Sequence, residues 1–167
     1  MAVVTVKAGA ITNRDSTPVV LSNSILQGGE LKECVGTVEV ANGDTTASKY
    51  IFASIPSNAR VSQILLYSDD IGTTTIADFG LYKTTADGSA VVDADFFGSA
   101  VSLKDGALNG TDITHESGVF NIDDVEKPLW SALGLSADSK IMYDVVATLT
   151  ADSDAAGTIS LKIRYVI

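Results

Sequence analysis

Ile55-Pro56-Ser57-Asn58-Ala59-Arg60-Val61-Ser62-Gln63-Ile64-Leu65-Leu66-Tyr67-Ser68-Asp69-Asp70, followed after a short connection by Ile76-Ala77-Asp78-Phe79-Gly80-Leu81-Tyr82-Lys83, decides the reading of this chain. Each half is an apolar run of strand length, and Asp69-Asp70-Ile71-Gly72-Thr73 between them is acidic and rich in turn formers. Alternate residues of an extended chain share a face, so Val61, Leu65 and Tyr67, then Phe79 and Leu81, are expected to line one buried surface. A sheet with one apolar face must bury it against another layer. The expected centre of the molecule is a β-sandwich.

Working outward, Leu31 to Val40 alternates in the same way, and Asn42-Gly43 can supply the positive φ angles of a hairpin turn. Lys49 to Ile55 is the next strand, broken by Pro56, which lacks a ladder donor. Beyond Lys83, Thr84 to Gly88 is a turn, and Val91 to Phe97 is a short mixed segment in which Phe96 or Phe97 plugs one end of the core. Lys104 to Asp112 shows no period and is expected to be an exposed loop. Pro128 to Leu133 predicts a short helix, with Pro128 at its first position, Gly134 ending it, and Trp130 and Leu133 pinning it to the sandwich.

The C-terminal segment predicts a hairpin. Ile141, Tyr143, Val145, Ala147 and Leu149 share one face, Asp152 to Gly157 turns, and Ile159, Leu161, Ile163 and Tyr165 line the returning face. The predicted class is therefore all-β, an antiparallel sandwich of jelly-roll type over residues 31–167 with one short helix. Its core is expected to include Leu65, Phe79, Leu81, Tyr143, Leu161 and Ile163.

Residues 1–30 differ from the rest. Two apolar patches, Val3, Val4 and Val6, then Val19, Val20 and Leu21, flank a polar spacer ending in Pro18. This segment is too poor in apolar residues to form a core of its own. It is expected to be an extended arm whose valines and leucine are candidate interface residues; the alternative is that Val3 to Val6 is an edge strand of the same domain.

At 167 residues the chain fits one domain that buries roughly two-thirds of the surface its unfolded form exposes. A formal charge of −10, with the basic residues scattered, argues against a nucleic-acid partner, because binding a polyanion requires clustered Lys and Arg. Cys34 stands alone, so no intrachain disulfide forms and folding in a reducing cytoplasm is implied. The N-terminus lacks the basic start and apolar core of a secretion signal, and no apolar run approaches the ~18 residues of a membrane helix, so no membrane partner is expected.

Chemistry is equally sparse. One His and one Cys do not supply a zinc site or a nucleophile–base pair, and His115-Glu116, as neighbours in extended chain, point opposite ways. Asp152-Ser153-Asp154 begins like a calcium loop, yet Ala156 and Ile163 stand where its fifth and twelfth ligands belong. The chain is expected to have no catalytic residues, no cofactor, no metal and no enzymatic activity.

The runs Ile55 to Asp70, Ala77 to Lys83 and Gly88 to Phe97, with Pro128-Leu-Trp-Ser-Ala-Leu-Gly-Leu135 and Gly157-Thr-Ile-Ser-Leu-Lys-Ile-Arg-Tyr165, resemble small virion structural proteins of tailed bacteriophages. Among these the chain is most similar to capsid decoration, or cement, proteins. The resemblance covers roughly residues 50–167. It implies a virion protein on the capsid exterior that binds the major capsid protein and cements neighbouring subunits. Closed symmetry is the rule for homo-oligomers, so a homotrimer is expected, with a dimer as the alternative. The rival readings are a tail or head-to-tail joining protein and a carbohydrate-binding module that would stack sugars on Trp130, Tyr50, Tyr67, Tyr82, Tyr143 or Tyr165.

Overall fold

Runs rich in Val, Ile, Thr and aromatic residues form strands, and the computed structural model, which describes residues 4–167, contains eight of them among the described residues. They are β1 (Leu31–Val40), β2 (Lys49–Pro56), β3 (Arg60–Ser68), β4 (Ile76–Lys83), β5 (Val91–Ser102), β6 (Leu108–Asp112), β7 (Met142–Leu149) and β8 (Gly157–Val166). Two four-stranded sheets result, ordered β1-β8-β3-β6 and β2-β7-β4-β5, with every pairing antiparallel. Their inner faces meet in one core that includes Ile64, Leu66, Phe79, Leu81, Val145, Leu161 and Ile163, each fully buried, and Tyr143. The expected all-β sandwich is what the chain forms.

The face expected for β3 is corrected by a bulge. Arg60 and Val61 pair with Val166 and Tyr165, but Gln63 pairs with Arg164, so Ser62 is an extra residue in the strand. One extra residue reverses which side chains point inward. Val61, Ile64 and Leu66 are therefore buried, whereas Leu65 and Tyr67, expected in the core, lie half-buried on the outer face. Leu65 sits opposite Lys162 of β8 there.

The expected C-terminal hairpin is also corrected. β7 pairs with β2 and β4, and β8 pairs with β1 and β3, so the two strands belong to opposite sheets. Their apolar faces meet across the core rather than side by side. The Asn42-Gly43 turn, with Gly43 at φ 90°, likewise carries the chain from one sheet to the other. Midway along β1, a Cβ on Gly36 would overlap the Phe52 carbonyl of β2, so only glycine allows the approach of the two strands.

Two further expectations change. Within Lys104 to Asp112, the residues of β6 pair with β3 as an edge strand, and the chain then buries Ile113, whose N–H donates to the Ile64 carbonyl at 3.0 Å. Phe96 and Phe97 are both buried, because the β4–β5 register moves from Phe79 opposite Gly98 to Leu81 opposite Asp93, leaving extra β5 residues between. The bulged segment turns consecutive rings inward against Phe120, with centroid distances of 5.4 and 5.6 Å.

The predicted helix is present as α3 (Leu129–Ala132), preceded by α1 (Gly9–Arg14) and α2 (Ser24–Gly28) in the N-terminal segment. Pro128 is the residue before the first turn of α3, and Gly134 at φ 74° follows its end. Leu129 is the fully buried anchor and Leu133 packs against the core, while Trp130 is only half-buried. The N–H groups of Leu129 and Trp130 donate to the Ala59 and Ser57 carbonyls at 2.9 and 3.0 Å, which ties α3 to the β2–β3 corner.

Candidate interaction surface

Strand direction gives the sandwich two unlike ends. One end, here the base, carries residues 57–59, 84–90 and 113–141 and the segment that enters β1 at Leu31; the far end carries residues 41–48, 69–75, 103–107 and 150–156.

Acidic side chains at the far end clasp its loops together. Asp152 accepts from the Thr46 N–H at 2.6 Å and its hydroxyl at 2.8 Å, while Asp154 accepts from the Thr73 N–H at 2.8 Å and its hydroxyl at 2.6 Å. Asp44 accepts from the Tyr50 hydroxyl at 2.6 Å, and Asp69 from the Thr158 N–H at 2.9 Å. Hydrogen bonds to the charged form hold all four carboxyls below their usual range, and Asp154 is lowered to about 2. The two acids of the calcium-like run thus reach different loops. Among the described residues, no three His, Cys, Asp or Glu side chains converge as a metal site would require.

His115 and Glu116 are likewise engaged separately. The imidazole stacks on Phe120 at 5.1 Å with Nδ1 at 2.8 Å from the Phe120 carbonyl, and the Glu116 carboxylate accepts from the Ser99 N–H at 2.7 Å. Cys34 is half-buried in β1, and desolvation pushes its thiol upward, away from the reactive thiolate.

The base presents the candidate interface residues. Val4 and Val6 lie in no strand, and Val3 is outside the described residues. In place of an extended arm, the segment forms the two short helices. Asp15 draws Lys7 and Arg14 to 2.8 and 2.7 Å, and Asn23 caps α2 by accepting from the Ile25 N–H. Neither helix buries a residue. Val4, Val6, Val19, Val20 and Leu21 are all exposed, Leu21 by 91%. Burying apolar area is the main gain of association, and these five uncovered aliphatic side chains leave such area unburied in the single chain.

Beside α3 at the same end is a cleft of about 680 Å³, bounded by Val92, Asp93 and Phe96 on β5 and by Leu133, Leu135, Ile141 and Tyr143. Burial and the neighbouring Asp95 push the Asp93 carboxyl upward. The Tyr143 hydroxyl meets the Ser139 hydroxyl at 3.1 Å on the cleft wall. Sequence alternation marked Ile141 and Tyr143 as core positions, but nothing in it signalled that the residues after α3 would stand off from β5 and leave a cleft.

The six aromatic residues weighed as sugar platforms are dispersed. Tyr143 is in the cleft, Tyr50 is held at the far end by Asp44, and Tyr82 bonds Thr148 with the Lys49 ammonium 4.6 Å from its ring centroid. Tyr67 lies against Gly110 on the outer face of the other sheet. Tyr143, Tyr50, Tyr82 and Tyr67 thus have separate surroundings.

No family profile matches the chain, and no curated protein matches it. Solved structures do. A chain in the capsid of Ralstonia phage GP4 aligns with a TM-score of 0.55 and 17% identity, over 83% of this chain and 84% of that one. A chain in the cyanophage Pam1 capsid asymmetric unit aligns with a TM-score of 0.52 and 19% identity, over 84% and 86%. At such identities the likeness is one of fold, and it extends over more than four-fifths of the chain.

Proposed function

We propose that this chain is a structural protein of a phage virion, bound to the outer surface of the capsid, where it cements neighbouring subunits of the major capsid protein. The observation that carries this reading is the fold shared, over more than four-fifths of its length, with chains from two phage capsids. The strand orders 1-8-3-6 and 2-7-4-5 fit the jelly-roll winding expected of such a module.

The role needs no catalysis, and we read the chain as a non-enzyme without a cofactor. A packaged genome pushes outward on its shell. A module that straddles two subunits adds buried area that must be lost before they part, and a specific contact needs about 1,000 Å² or more. Repetition around a symmetric shell multiplies the effect. The exposed aliphatic residues of the N-terminal segment supply area for such contacts and for self-association into a trimer.

Immunogold labelling of intact virions tests the reading. Gold distributed over the head surface is the expected result; gold confined to the tail or the head–tail junction would assign the chain to the joining machinery instead.

A further inference from the structure

We propose that the cleft between α3 and β5 receives Val19, Val20 and Leu21 from a second copy of this chain, in a head-to-tail contact that closes into a ring. The inference rests on the self-association read into residues 4–30 and specifies where that segment goes.

The donor side chains are uncovered in their own copy. Val19, Val20 and Leu21 are consecutive, lie outside both short helices and are 66%, 50% and 91% exposed. Two β-branched residues after Pro18 favour an extended conformation, which presents side chains to a groove at little conformational cost. The helices on either side of them lie close to Glu126, away from the cleft lining, so within one copy the donor and the cleft both stay unfilled.

The acceptor is an apolar cleft on an acidic body. Its volume of about 680 Å³ lies within the range of clefts that enclose compact apolar groups, and Val92, Phe96, Leu133, Leu135 and Ile141 supply an apolar lining. Lys7 and Arg14 against Asp15 give residues 1–29 a net charge of +1, which leaves −11 on the remainder of a chain whose total is −10. Asp93 stands on the cleft wall with Asp95 beside it, and Lys83 is the single cation in the lining. A weakly basic segment on an acidic body favours arm-to-body over arm-to-arm or body-to-body contact. Donor and acceptor are different surfaces, so the contact is heterologous, and such contacts generate rings when the rotation closes.

Disulfide trapping tests this. In a Cys34→Ser background, one chain carries Leu21→Cys and another Leu135→Cys; both positions are exposed, so neither thiol disturbs the core. Mild oxidation of the mixture should give a mixed dimer at least about tenfold above a mismatched Leu21→Cys and Asp152→Cys pair, because docking raises the local thiol concentration toward the millimolar range. Yields equal to the mismatched pair would overturn the proposal. So would a chain carrying both cysteines that closes on itself as a monomer in preference to linking two copies, which would assign the segment to its own cleft. A chain that fails to cross-link yet labels phage heads removes this contact alone; one that cross-links but never labels virions removes the capsid role alone.

Discussion

Leu65 and Leu66 are neighbours of identical chemistry, and the bulge at Ser62 sends them to opposite sides of the sheet. Leu66 is fully buried between the sheets, so Leu66→Ala removes three buried carbons, worth about 2.4 kcal/mol of transfer free energy at ~0.8 kcal/mol each. The cavity left behind adds to this, giving a loss of about 3–4 kcal/mol. Leu65 is half-exposed beside Lys162, leaves no enclosed cavity, and should cost about 1 kcal/mol or less when replaced by Ala. For a domain of this size each kcal/mol lowers the melting temperature by about 2–4 °C, so the two variants should melt roughly 4–12 °C apart. Urea unfolding measures the free energies directly. If Leu65→Ala proves as costly as Leu66→Ala, β3 keeps unbroken alternation and the bulge is wrong.

Three further outcomes are expected. The Asp154 carboxyl is lowered from 3.8 to about 2 by the Thr73 hydroxyl and N–H, so the stabilisation it brings is complete above pH 3.8 and is lost as pH falls through about 2. Melting temperatures should drop across that window, less steeply in Asp154→Asn, and equal slopes would remove Asp154 from the effect. Melts with calcium and with chelator should coincide, since a ligand bound only to the folded state raises its stability by mass action; a calcium-dependent rise of several degrees would reveal a site. Deleting residues 2–28 should leave a folded sandwich, because neither short helix buries a residue, while abolishing self-association and head binding. An unfolded product would make the segment part of the domain, and unchanged assembly would move the contacts elsewhere.

The strands were legible because their apolar residues alternate, and alternation survives in any arrangement that buries one face. Which strands sit side by side was not. Ile141 to Leu149 and Ile159 to Tyr165 show the same pattern whether they pair as a hairpin or face each other from opposite sheets, and only the long-range pairings with β2, β4, β1 and β3 decide between them. β6 escaped notice because an edge strand with one solvated face needs little apolar patterning. Bulges defeat the method for a different reason. Ser62 and the bulged residues before Gly98 each shift the phase within a strand, so the even spacing assumed for Leu65 and Tyr67 fails midway. Composition identified the N-terminal residues without a core, but not the cleft, whose walls come from β5 and from the distant segment after α3.

Unequal satisfaction of the two ends gives the proposed role its direction. At the far end the carboxylates of Asp44, Asp69, Asp152 and Asp154 already have hydroxyl and N–H donors from neighbouring loops, and an approaching surface would have to displace water from charged groups that gain nothing in return. At the base, Val4, Val6, Val119 and Met142 remain exposed, so an approaching surface gains apolar burial without breaking a hydrogen bond. A protein that cements a shell has to hold one side down and leave the other in water. This chain has the asymmetry to do so, with the segment that makes the proposed ring emerging from the same end that would meet the capsid.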